Sequence, residues 1–166
     1  TSDRSIFWKP EELLKDHPRH LNALNLAAEK AGWGSPLATG RARGLAVHES
    51  FGSYAAQVAE VSVENGAIRV HRVTCAIDCG IAVNPQGIAA QMESGIAFGI
   101  SAALLGRLTF KDGRVQESNY HDYRVLRMNQ MPAIDVHIVP STDKPGGVGE
   151  VGVPPIAAAL GNALFA

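Results

Sequence analysis

The chain predicts an α+β fold built from antiparallel hairpins packed with helices. Alternating apolar and polar residues flank an Asn65-Gly66 pair, and a second alternating stretch surrounds Lys111-Asp-Gly113; both read as hairpins. Residues 85–105 and the stretch after Pro154 instead repeat their apolar residues at helical spacing. The strands come in pairs rather than in regular alternation with helices, which argues against a doubly wound sheet.

Taken in order, residues 9–34 predict a helix–turn–helix opening. Pro10 with Glu11 and Glu12 suits a first helical turn, Pro18 restarts the helix, and Gly32 and Gly34 end it. His17 and His20 read as solvated or capping residues. A turn over 40–44 precedes the strand 56–63, whose beginning could lie as early as Gly44. The return strand starts at Ile68 and runs to Asp78. Asn84 as cap and Pro85 as first residue open a helix reaching Leu105. Along it Ile88, Met92, Ile96, Ile100 and Leu104 form one apolar row; Gln91, Gly95 and Gly99 form the next. Glycine costs about 1 kcal/mol inside a helix, so this second row predicts a helix, a sheet or a ligand lying close to the backbone. Residues 108–116 form the second hairpin, 134–139 a further strand, and the last helix buries Ile156, Ala159, Leu160, Ala163 and Leu164.

Composition narrows the function. With 166 residues, 46% hydrophobic and 19% charged, the chain can bury a core. Fifteen basic residues against sixteen acidic leave a net charge of −1 without a basic cluster, so no nucleic-acid partner is expected. No run approaches about 18 uninterrupted apolar residues, and the N-terminus shows no signal-peptide pattern, so a soluble piece without a membrane span is expected. Thr1 in place of an initiator Met, and an ending inside an apolar helical pattern, suggest part of a longer polypeptide. The compartment stays open.

Cys75 and Cys79 would lie about 13 Å apart in an extended strand, beyond disulfide reach without a turn. With no second Cys pair, they read as two buried thiols rather than as metal ligands. Gly147-Val-Gly-Glu-Val-Gly152 satisfies the dinucleotide pattern G-x-G-x-x-G, but Pro154-Pro155 separates it from the helix and no later acid follows to bind a ribose. A nucleotide-binding dehydrogenase is therefore a third reading, testable by NAD titration.

Glu150, in the glycine-rich loop before the last helix, could serve as a general base or merely stabilise its own helix. Gln91 could face a ligand or be buried against backbone. Tyr120, Asp122 and Tyr123 could line a pocket or cap a loop. His48-Glu49 could act as a ligand or an acid–base pair, but with no matching partner elsewhere a structural role is the expectation.

Six segments, taken together, carry a resemblance. They are 27–34, 43–54, 57–63, 78–85 (Asp-Cys-Gly-Ile-Ala-Val-Asn-Pro), 91–99 (Gln-Met-Glu-Ser-Gly-Ile-Ala-Phe-Gly) and 147–150 (Gly-Val-Gly-Glu). In this order, over nearly the whole chain, they resemble the large subunits of the molybdenum hydroxylases, the xanthine dehydrogenase and aldehyde oxidase family, on the branch of the isoquinoline 1-oxidoreductase β subunits.

The resemblance implies that residues 1–166 are a C-terminal part of the molybdopterin-binding domain. It implies Glu150 as the base that takes a proton while water-derived oxygen attacks an electron-poor carbon of an N-heteroaromatic or aldehyde. Gln91, Val148 and Gly149 would border the cofactor, with no side chain ligating the metal. The implied cofactor is molybdenum on molybdopterin, in the cytosine dinucleotide form. Implied partners are an iron–sulfur small subunit and the remainder of the large subunit, whose upstream glycine-rich loops complete the pocket; the isolated chain is expected not to retain the cofactor. The alternative is a stand-alone binding or assembly module with the same fold and no activity.

Overall fold

A computed structural model describes residues 17–166. Helix α1 (Pro18–Lys30) leads into strands β1 (Arg41–Ser50), β2 (Ser53–Glu64) and β3 (Ala67–Asp78). Helix α2 (Pro85–Ile100) follows and runs on into a π-helical turn (Ser101–Leu105). The short pair β4 (Phe110–Lys111) and β5 (Arg114–Val115), strand β6 (Ala133–Ile138) and helix α3 (Pro154–Leu164) complete the order.

The main sheet has the order β1-β2-β3-β6. β1, β2 and β3 are joined antiparallel by tight turns. β6 lies parallel to β3, with Arg72 opposite Ala133 and Ile77 opposite Ile138. Side chains alternate across this sheet. Ala55, Ala59, Val73, Cys75 and Ile77 face α2 and α3, whereas Ala56, Val58 and Ala76 face α1. The result is three layers with two apolar seams, the larger one under α2 and α3. Burial in these seams is the main stabilising term.

Most expected elements form, with four corrections. The strand that could begin as early as Gly44 is two strands, the first already starting at Arg41 inside the expected turn over 40–44: the chain reverses at Phe51-Gly52, where both residues have positive φ (57° and 73°). A phenylalanine is not a turn signal, so the sequence pattern hid this hairpin. The second hairpin pairs only Phe110–Lys111 with Arg114–Val115. Leu164 is 42% exposed, because α3 ends there and its last turn overhangs the core. His20 is neither a cap nor fully solvated: its ring meets the Tyr54 ring edge-on at 4.6 Å, and Glu49 lies 3.3 Å away. The expected helical turn over residues 9–15 lies outside the described residues.

The close neighbour announced by Gly95 and Gly99 is the start of α3. A Cβ on Gly99 would run into Ile156 and the Val153 carbonyl, whereas one on Gly95 would make ordinary contacts at 3.4–3.5 Å with Gly152 and Val153. By length and composition Pro85–Leu105 could also cross a membrane. Here its row Ile88, Met92, Ile96 and Ile100 is buried in the larger seam.

Candidate active site

The ends of β1 and β3, the N-terminal half of α2 and the loop before α3 converge at one end of the sheet. Asp78 anchors this end. Its side chain is 2% exposed and accepts from Arg19 Nε (3.0 Å), Arg19 Nη2 (2.6 Å) and the Gly80 amide (3.1 Å). Burial pushes the Asp78 carboxyl up, but the Arg19 and Gly80 donors outweigh it and hold it below the usual carboxylate range. Arg19 also stacks over the Tyr54 ring at 4.4 Å. The Asp78 pair thus ties α1, on one face, to the strand end that carries the loop on the other.

That loop is held through its main chain. Ile81 donates to the Asp143 carbonyl (3.0 Å), Gly146 to that of Cys79 (2.8 Å) and Gly147 to that of Phe51 (2.8 Å). Gln57, wholly buried, donates Nε2 to the Gly152 carbonyl (2.8 Å). Gly80 is required by its positive φ (71°) and by the carbonyls of Asp143 and Lys144, which occupy the place a Cβ would take. Beyond these tethers, the amides of Val148, Gly149 and Glu150 make no hydrogen bond with a described residue. Among the described residues nothing lies within 4 Å of where a Cβ on Gly149 would stand, so they leave the backbone there open to approach.

Two hollows flank this loop. One, about 520 Å³, holds Glu150, Gly149, His48, Phe51, Ser94 and Phe98 at its wall. The other, about 320 Å³, is bordered by Gln91, Val148, Cys79 and Ile88. Helix α2 serves both: Gln91 borders the second and Gly95 the first, one helical turn apart, about 6 Å along the axis. The expected site residues therefore sit around one loop, in neighbouring hollows rather than a single one.

Glu150 is exposed and makes neither an ion pair nor a side-chain hydrogen bond among the described residues. Its carbonyl accepts from Val153 (2.9 Å), turning the chain into α3. Gln91 is exposed, not buried against backbone.

Other candidates separate. His48 and Glu49, adjacent in β1, point to opposite faces: His48 joins the Glu150 hollow and Glu49 meets His20. Asp122 caps its loop, accepting from the amides of Asn119 (2.9 Å) and Ser118 (2.9 Å), and these donors draw its carboxyl down to about 2. Cys75 and Cys79 are free and buried, and burial pushes the Cys75 thiol up to about 12. Among the described residues no group of three or more His, Cys, Asp or Glu side chains could chelate a metal. The sequence pattern did not single out Phe51, Phe98 or Ser94. The available signal was the pair of glycines around Phe98, which lays that ring on a thin stretch of helix beside the loop.

Residues 15–132 match the family described as the molybdopterin cofactor-binding domain. The match includes Gln91 and ends before the Glu150 loop. The chain is 37% identical over 156 residues to the β chain of isoquinoline 1-oxidoreductase from Brevundimonas diminuta, covering 91% of the chain and 20% of that protein. It is 32% identical over 168 residues to a nicotinate dehydrogenase subunit of Pseudomonas putida, covering 89% and 14%. It is 33% identical over 144 residues to a membrane-bound aldehyde dehydrogenase [pyrroloquinoline-quinone] of Gluconacetobacter polyoxogenes, covering 82% and 19%. Among solved structures, the aldehyde oxidoreductase from Desulfovibrio gigas superposes with a TM-score of 0.58 at 28% identity, over 68% of this chain and 13% of that one. Quinoline 2-oxidoreductase from Pseudomonas putida 86 does so with a TM-score of 0.58 at 26% identity, over 68% and 16%. The chain thus spans about a fifth or less of the curated relatives it matches. Sequence and fold agree: the chain belongs to the molybdopterin cofactor-binding domain family, in the molybdopterin-binding subunits of the molybdenum hydroxylases, a family of oxidoreductases.

Proposed function

We propose that residues 1–166 form the C-terminal part of the molybdopterin-binding domain of a larger subunit that hydroxylates an N-heteroaromatic or aldehyde substrate with oxygen from water. One observation carries this reading: a Glu150 carboxylate, exposed and unpaired among the described residues, borders a largely apolar hollow beside backbone amides that no described residue engages. The names of the relatives, which cover isoquinoline, nicotinate and aldehydes, support the substrate classes.

The residues present fit the cofactor. Open amides at Val148, Gly149 and Glu150 suit an anionic, many-oxygen group, and Gly149 lets it approach the main chain. No group of described side chains could chelate a metal, so on this reading the chain holds the cofactor rather than the metal itself. When bound, molybdopterin supplies the molybdenum redox chemistry that oxidises the substrate carbon.

This chain's residues do the rest. A Glu150 carboxylate oxygen takes the proton from the attacking water-derived hydroxyl, raising its nucleophilicity as it approaches the electron-poor carbon. The loop amides hold the cofactor's oxygens, and the Gln91 amide donates to it from the neighbouring hollow. Phe51, Phe98 and Val153 give the hollow its apolar wall. We place the electron acceptor, an iron–sulfur small subunit, and the upstream pocket loops outside this chain, and assign the pterin its cytosine dinucleotide form.

The test is Glu150→Gln in the full-length enzyme. Turnover falls by about 10²–10⁴, the usual loss for a general base, with molybdenum and pterin content unchanged. Turnover within tenfold of the parent enzyme removes Glu150 from this role. Release of a cytidine nucleotide on acid treatment checks the pterin form.

A further inference from the structure

Residue 57 lies in the middle of β2, and strand alternation points its side chain, with those of Ala55 and Ala59, into the larger seam. Ala46 on β1 and Cys75 on β3 stand beside it in register. These neighbours are alanines and a neutral thiol, yet the residue is a glutamine, and it is wholly buried. Burying an amide there costs folding free energy that an aliphatic side chain would not. Only part of it is recovered. Nε2 donates to the Gly152 carbonyl at 2.8 Å, while Oε1 finds no hydrogen-bond partner among the described residues. Core packing does not account for a glutamine here, since an unbranched apolar side chain of similar size fills the same space.

What the amide does is fix one peptide group of the loop. Gly152 stands two residues beyond Glu150. Its other side lies against α2, where a Cβ would meet the Met92 carbonyl and Sδ at 3.3 Å. Val151, between Gly152 and Glu150, is buried in the larger seam. Upstream, the Gly147 amide is held by the Phe51 carbonyl at 2.8 Å. Glu150 therefore rides on a short span pinned at Gly147 and at Gly152. Among the described residues, Gln57 makes the only side-chain hydrogen bond to residues 146–153. Gln57 itself borders neither hollow.

We infer that Gln57 is a positioning residue: its amide holds the Gly152 carbonyl and, through that turn, keeps the Glu150 carboxylate where proton transfer requires it. This deepens the function proposed above and rests on its assignment of Glu150 as the base. A displacement of about 1 Å is enough to cost on the order of 10² in rate, which explains why a polar group is kept in an apolar seam.

The test uses the full-length holoenzyme with isoquinoline and benzaldehyde as probe substrates. Gln57→Met removes the donor and nearly conserves volume. Its kcat is expected to fall by about 10- to 100-fold, with KM changed by less than about threefold and molybdenum and pterin content unchanged. Introduced beside Glu150→Gln, the same change is expected to cost less than about threefold more, because both act on one proton transfer. A larger further loss shows that Gln57 acts independently of the carboxylate and overturns the inference. A kcat loss below about tenfold, or a larger shift in KM, overturns it as well. Gln57→Asn, whose amide is one methylene too short for Gly152, is measured alongside; if neither variant yields folded, molybdenum-loaded enzyme, the residue is structural and the inference falls. Failure of the base assignment reads out separately: Glu150→Gln alone then keeps its turnover within about tenfold. A parent enzyme that oxidises neither probe defeats the proposed function and this role together.

Discussion

Asp78 shows how much one side chain can organise. It is buried, it is bound by two guanidinium nitrogens and a backbone amide, and it joins the two faces of the sheet at the end where the loop is tethered. Replacing it with Asn leaves Arg19 only its longer, exposed contact to Asp143 (3.4 Å) and is expected to cost about 2–3 kcal/mol in a denaturant titration. Because the folded carboxyl sits below its usual range, its contribution is complete above the unfolded value of about 3.9. It is lost as pH falls through the lower folded value, so Asp78→Asn should flatten the acid limb of the stability curve in that window. At this scale the sequence was partly readable. Glu150 and Gln91 stood out through their glycine-rich company, and the structure sets both beside one loop, exposed and without a side-chain partner among the described residues. The Arg19–Asp78 pair was not readable, since 59 residues separate its members and nothing local announces it.

Among the elements, α2 is the one whose pattern carried most information. Its cap works as expected, Asn84 Oδ1 accepting from the Gly87 amide at 3.0 Å, and its two glycines mark where α3 crosses. They are not equivalent. Gly99→Ala should destabilise by about 1–3 kcal/mol, because the added methyl meets Ile156 and a backbone carbonyl. Gly95→Ala meets only ordinary contacts and should be neutral or stabilising by up to about 1 kcal/mol through helix propensity. Paired urea titrations decide between them. Hairpins were legible where Asn-Gly or Asp-Gly occupied the turn and invisible where Phe-Gly did, because the signal lies in side-chain chemistry rather than in the turn itself. The parallel seat of β6 against β3 was equally hidden: a strand's period shows which residues share a face but not which neighbour it joins.

For the molecule as a whole, stability is unevenly spread. β2 and β3 are central and buried on both faces, whereas no residue from Ser101 to Met131 is buried. Amide hydrogen exchange should therefore be slowest in β2, β3 and the first four turns of α2 and fastest between residues 106 and 131, by several orders of magnitude. Uniform protection across these regions would contradict the layered account. The three-layer plan follows from the alternation along β2 and β3. Its functional end arises from distant segments brought together, so no local window contains it.

The tethers at Cys79 and Phe51 have an evolutionary corollary. Both are carbonyls, which every residue type carries; Cys79 is fixed by its burial in the core, but the exposed side chain at Phe51 can change without shifting the acidic group the loop presents. The ring at the hairpin tip can thereby be exchanged while the carboxylate stays where the peptide backbone has put it.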